Sequence, residues 1–266
     1  MISKHLATGW LAMLLFTLSS CGSESTNTQV PEMPDGDGTS QPPKVINNSP
    51  LNDYKIIIYG NSHSAELGDL LKTIFAGQLP DTVVNTMSVH GRFLDEIVAV
   101  SGNADKLRSE NWSHAIFQGQ KYSQSGTTEY PTTAAELLIL TAKNQKITPV
   151  LFPEHPQEGN PAEAQRVYDL HLSISAKQPS CVAPVGMVWN RLSEILPGTN
   201  LYSSDGNHAS YAGNVLTAMT FYQIISSELA DTMSFDPAIE LTQHEQALFG
   251  QIVTEVLALY PACGEE

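Results

Sequence analysis

From residue 54 onward, short apolar runs alternate with stretches of helical spacing, and no other feature constrains the fold of this chain as tightly. A strand that is apolar at nearly every position must be covered on both faces. The runs YKIIIY (54–59), TVVNTMSV (82–89), SHAIFQ (113–118), PVLF (149–152) and CVAPV (181–185) have this character, and Pro149 is tolerable only at the first position of its strand. Helical patterns follow at 64–77, 92–100, 133–145, 160–177, 211–229 and 242–260. The first of these carries Leu67, Leu70, Leu71, Ile74 and Phe75 on one face. Thr133 with Glu136, and Thr242 with Glu245, have capping-box spacing, and Asn160 before Pro161 marks another helix start. The expectation is an α/β fold: a three-layer sandwich with a central, mostly parallel five-stranded sheet. Chemistry in such a sheet belongs beyond the C-terminal ends of the strands.

The N-terminal 50 residues read differently. Lys4 and His5 precede LATGWLAMLLFTL, an apolar stretch too short to span a bilayer, and the segment ends at LSSC, Leu18 to Cys21. It resembles a bacterial lipoprotein signal (residues 1–21), with Cys21 as the lipidated first residue of the mature chain. Ordinary signal cleavage with an incidental Cys21 is the alternative. Residues 22–50 hold Ser, Thr, Pro, Gly and Asp and little to bury, the composition of a disordered linker. The folded domain is thus expected over 51–266. Gly22, where an Asp would retain the protein, allows outer-membrane sorting by resemblance to known sorting signals, so a periplasmic or cell-surface location follows.

A formal charge of −15 without a basic cluster excludes nucleic acid and opposes an anionic lipid surface, so the membrane partner would be the anchor itself. Once Cys21 is set apart, Cys181 and Cys263 remain, and an exported chain favours their pairing as a disulfide over two separate thiols.

The strand ends carry the candidate chemistry. YGNSHSAEL (59–67) places Ser62 just past the first strand, where helix N–H groups favour negative charge. Ser64 is its rival, as cap and as nucleophile. DGNHASYAG (205–213) supplies Asp205 and His208 three residues apart, a spacing that lets the carboxylate hold the imidazole by Nδ1 and leave Nε2 facing outward. Glu154 and His155, in PEHPQEG after the fourth strand, are candidate substrate contacts, with simple turn residues as the other reading. A G-x-S-x-G elbow is absent because position 64 is Ser, which argues against an α/β-hydrolase.

YGNSHS, SVHGRFL, FQGQKYS and DGNHASYAG occur in that order. Together they resemble the four sequence blocks of the SGNH (GDSL-type) hydrolase superfamily, in a branch with a G-N-S start and a PVG…W feature, here APVGMVW (183–189). The resemblance covers residues 54 to about 227. It implies a flavodoxin-like sheet, Ser62 as nucleophile, and Asp205 and His208 as the rest of a triad. It also implies an oxyanion hole from the backbone N–H groups of Ser62 and Gly91 and the side chain of Gln120. Asn61 stands where the family usually has Asp. Gln120 stands where it has Asn, so Gln118 is a second candidate for that donor.

The function so implied is a lipid-anchored, extracytoplasmic serine esterase for small acyl esters, O-acetyl groups of carbohydrates among them. No cofactor is expected, and a monomer is. Two readings from other classes stand beside it. One is a carbohydrate-binding protein without turnover. The other is a metal-dependent hydrolase built on His63, His90, His155 and His208, although no close-spaced zinc motif is present.

Overall fold

The computed structural model describes residues 43–45 and 47–264; the expected signal segment and Cys21 lie outside the described residues. Five parallel strands form one sheet: β1 (Asp53–Gly60), β2 (Val83–His90), β3 (His114–Gln118), β4 (Thr148–Phe152) and β5 (Cys181–Val182), in the order β2-β1-β3-β4-β5. All neighbouring pairs are parallel, so the α/β expectation holds and "mostly parallel" sharpens to parallel throughout. Ile56, Ile57, Ile58, Phe117, Val150 and Leu151 at the centre are at most 1 % exposed, as strands covered on both faces require.

Helices α1 (Leu67–Gln78), α2 (Leu94–Ala99), α3 (Thr133–Asn144), α4 (Ala162–Lys177), α5 (Val185–Ile195), α6 (Tyr211–Ser226) and α7 (Gln243–Leu259) make the outer layers. Right-handed crossovers dictate their sides: β1 to β2 runs one way along the sheet and β3 to β4 to β5 the other, so α1 lies opposite α3 and α4. In keeping with this, α1 packs on α6 and α6 on α7, while α3 packs on α2 and α4. The order reverses at β1, whose neighbours are β2 and β3, and the crevice at such a switch point is where an open α/β sheet holds its ligand.

Several local readings shift. The fifth strand stops at Val182, because Pro184 breaks the ladder and α5 begins at Val185; residues 185–195 were not expected as a helix. Helix α4 starts at Ala162, with Pro161 as its flanking residue and no side-chain cap. The box expected at Thr133 and Glu136 does not form. Instead the hydroxyl of Thr132 donates to Glu136 Oε1 at 2.5 Å. The Thr242–Glu245 box is present at the start of α7. Pro149 is the second residue of β4. Its missing N–H faces the β5 side, where pairing begins only at Val150.

Cys181 and Cys263 are joined in a disulfide that ties β5 to the segment after α7. Residues 43–45 and 47–50 also belong to the folded body, so the expected linker does not run to 50. Val45 N–H donates to Cys263 O at 2.9 Å, Asn48 Nδ2 donates to Ser113 O at 2.9 Å, and Ser49 Oγ donates to Ser226 O at 2.5 Å. Composition missed this because the segment is held mainly by backbone, amide and hydroxyl hydrogen bonds, with Val45 alone among these residues packed against the core.

Candidate active site

Strand β1 ends at Gly60, where a Cβ would collide with Ser64 Oγ and lie 2.6 Å from Gln118 Oε1, so a side chain here would displace both. The next residues make one turn of 3₁₀-helix, Ser62–Ser64. Asn61 caps it, accepting the His63 N–H at 3.0 Å through Oδ1 while its Nδ2 donates to Arg92 O at 2.9 Å. With Asn61 as the cap, the exposed Ser62 hydroxyl is left for other chemistry. Ser64 is 2 % exposed and donates to Asn61 O at 3.1 Å, a brace for the turn and out of reach as a nucleophile.

The second half of the site comes from the loop before α6. Ser203 N–H donates to His208 O at 2.8 Å, and Ser210 caps the helix by accepting from Gly213 N–H at 3.2 Å. Inside this loop Asp205 Oδ1 accepts the N–H groups of Asn207 and His208, both at 3.0 Å. Its Oδ2 lies 2.6 Å from His208 Nδ1. A carboxylate only accepts, so the imidazole proton sits on Nδ1 and the Nε2 lone pair is free. That lone pair meets Ser62 Oγ at 2.8 Å. The bond from the His208 ring first, then the two backbone N–H groups, hold the Asp205 carboxyl well below the usual carboxylate range. Ser62, His208 and Asp205 therefore stand in the order and at the distances of a nucleophile, its base and the group that orients the base.

The other implied oxyanion donors are placed elsewhere. Gln120 is 5 % exposed, and its Nε2 donates to Lys121 O at 3.0 Å and Pro131 O at 3.1 Å, bracing the loop after β3. Gln118 accepts the Asn61 N–H at 2.8 Å and donates to Glu154 Oε2 at 2.7 Å. Gly91 N–H donates to Gly60 O at 3.1 Å, continuing the β1–β2 ladder past the register pair Gly60 and His90. Glycine is needed at 91 for packing, since a Cβ would collide with Ile97 Cγ1. Of the four positions, Ser62 keeps a backbone N–H with no partner among the described residues.

His155 is 4 % exposed and buried behind the triad, so it is not the substrate contact expected of it. Its ring stacks on Trp189 with centroids 3.7 Å apart and planes 8° apart. Burial, the largest effect, pushes its pKa down to about 3. Glu154 is half-buried and committed to Gln118. The Tyr122 hydroxyl is pushed up by burial and by the adjacent Glu154 and Glu163 carboxylates.

One neighbour of the triad was named only as a metal-ligand candidate. His63 stacks on His208, centroids 5.0 Å apart and planes 13° from parallel, and its Nδ1 lies 3.4 Å from His155 Nε2. The partners are 92 and 145 residues away, so no local pattern announces them. Among the described residues no group of three or more His, Cys, Asp or Glu side chains is arranged to hold a metal ion.

No family model and no curated protein matches the chain in sequence. Solved structures do match. One is a protein from Slackia heliotrinireducens named as an SGNH hydrolase, 20% identical, with a TM-score of 0.52, covering 66% of this chain and 100% of that one. Another is a DUF4886 family protein from Bacteroides uniformis, 13% identical, with a TM-score of 0.63, covering 79% and 96%.

Proposed function

We propose that this chain, whose fold is that of the SGNH hydrolases, is a serine esterase acting on small acyl esters through Ser62, His208 and Asp205. One observation carries the reading: the relay of 2.8 Å from Ser62 Oγ to His208 Nε2 and 2.6 Å from His208 Nδ1 to Asp205 Oδ2. Ser62 Oγ attacks the ester carbonyl as His208 Nε2 takes its proton. The imidazolium that forms is stabilised by Asp205, which keeps its charge. The Ser62 N–H at the head of the 3₁₀ turn faces the oxyanion. His208 then protonates the leaving alcohol, and water, activated by the same base, clears the acyl-enzyme.

The substrate class favoured is an O-acylated carbohydrate. A cavity of about 590 Å³ beside the triad, lined by none of its three residues, carries the polar groups of Gln157, Glu158, Asn190, Asn200 and Tyr202 among prolines and Leu201, and Gln157 and Tyr202 also touch Asn207 and His155. Such a lining suits a polyhydroxylated alcohol better than a long acyl chain. Anchoring through Cys21 on the outer side of a membrane belongs to the same proposal and rests on the signal-like segment alone. Labelling with radioactive palmitate, lost in Cys21→Ala, tests it.

The test of the chemistry uses a fluorophosphonate probe and p-nitrophenyl acetate on the full chain. Probe on Ser62 and turnover, both lost in Ser62→Ala and His208→Ala, are expected. Neither in the wild type would overturn the reading. A second reading, glycan binding without turnover, is favoured by one observation: Gln118, Gln120 and Gly91 all spend their donors inside the protein. Equal glycan affinity in the wild type and Ser62→Ala, without hydrolysis by either, would support it.

A further inference from the structure

The mechanism above uses one histidine and leaves another lying against it. His155 decides what His63 can be. Its Nδ1 faces Pro156 O at 3.1 Å, and a carbonyl only accepts, so the single proton of this neutral ring is on Nδ1. The Nε2 of His155 is then a lone pair. It lies 3.4 Å from His63 Nδ1, so His63 must bring the proton to that contact. A neutral His63 protonated on Nδ1 has its own lone pair on Nε2, and there Asn207 Nδ2 approaches to 3.4 Å. The other end of that amide agrees: Asn207 Oδ1 accepts from Gln157 Nε2 at 3.2 Å. The His155 contact sets the tautomer, and the Asn207 and Gln157 amides as oriented are compatible with it. Behind the ladder, Trp189 is fully buried and its Nε1 donates to Thr217 Oγ1 at 3.1 Å, so the stack rests on a fixed wall.

We propose that His63 is a positioning residue for the base: held between His155 and Asn207, its ring lies against the His208 imidazole and sets its plane. The proposal rests on the triad reading above.

The experiment compares kcat and KM for p-nitrophenyl acetate in the full chain, His63→Phe and His63→Ala. His63→Phe keeps a ring to stack on His208 and should hold kcat within about threefold of wild type. His63→Ala should lose about tenfold in kcat with KM little changed, since the base is no longer oriented. Ring-nitrogen NMR on histidine-labelled protein should find His63 protonated on Nδ1. A His63 proton on Nε2, or a His63→Ala enzyme with kcat within about twofold of wild type, overturns the proposal. If the wild type neither turns over nor takes the probe, the esterase reading fails by itself, and the NMR tautomer then decides the ladder alone.

Discussion

His208 and His155 lie in one cluster of rings, yet their Nδ1 protons face groups of different charge. His208 points its proton at the Asp205 carboxylate 2.6 Å away, half exposed at the mouth of the crevice. His155 points its proton at the Pro156 carbonyl 3.1 Å away, buried against Trp189. A carboxylate stabilises the charged ring and a buried carbonyl does little to, so the first can cycle through imidazolium and the second cannot. The partner of Nδ1, and the water around it, separate a base from a wedge.

The largest effects should come from the charged side of this comparison. Ser62→Ala or His208→Ala should lower kcat by about 10⁴-fold or more, and the double variant should lose little beyond either single one, because the two act as a unit. Asp205→Asn should cost about 10³-fold, since an amide cannot favour the imidazolium and allows the wrong tautomer. Steady-state turnover of p-nitrophenyl acetate reads all of these. A loss below tenfold in Asp205→Asn would mean that the exposed pair orients nothing, and the contrast with His155 would collapse.

The neutral side shows in stability. His155, His114 and His171 are all buried, with burial the leading cause that pushes them down to about 3, 3 and 4. A histidine lowered on folding takes up its proton more readily in the unfolded chain. Its contribution is therefore intact above the ordinary histidine value of about 6.5 and is lost as pH falls toward the folded one. Each such group should steepen acid destabilisation by about 1.4 kcal/mol per pH unit in that window. His171 tests this apart from catalysis: its Nδ1 donates to Val167 O at 2.7 Å and its buried Nε2 has no hydrogen-bond partner among the described residues. In His171→Leu, urea unfolding between about pH 4.5 and 6.5 should be flatter by about one such increment, with esterase turnover unchanged. An unaltered slope would show that burial does not suppress this histidine's charge.

What could be read from the chain before its structure divides along similar lines. The five strands were visible because each is a short apolar run; their order, with its reversal at β1, was not, because handedness sets the side of each crossover and not the neighbour a strand takes. Helix α5 was hidden because Pro184 and Gly186 punctuate an apolar stretch that reads equally as the end of a strand. Ser62, Asp205 and His208 were visible because each lies in a short motif at a strand end, where the fold must display it. The donors were not. Whether an amide after β3 turns toward the crevice or back into its own loop depends on the path of residues 121–131, and nothing local encodes that direction. The ring ladder is also non-local, since His63 and Asn207 are 144 residues apart in the chain.

The smallest expected effect separates these two kinds of knowledge most cleanly. Were Gln120 an oxyanion donor, Gln120→Ala would lower kcat by about 10²- to 10³-fold, as loss of such a donor does. Its Nε2 instead donates to Lys121 O and Pro131 O, so removal leaves two carbonyls without a partner beside the 121–131 loop. The expected outcome is a stability loss of about 1–2 kcal/mol, visible in the urea midpoint, with kcat within about threefold of wild type. Gln118→Ala differs in kind, because it frees both the Asn61 N–H at the root of the Ser62 turn and the Glu154 carboxylate. Its effect on kcat should exceed that of Gln120→Ala and should arise from displacement of the 3₁₀ turn. Reduced fluorophosphonate labelling of Ser62 in Gln118→Ala alone would show this. The reverse order, with Gln120→Ala the slower enzyme at unchanged stability, would place that amide in the crevice during turnover and return the oxyanion role to it.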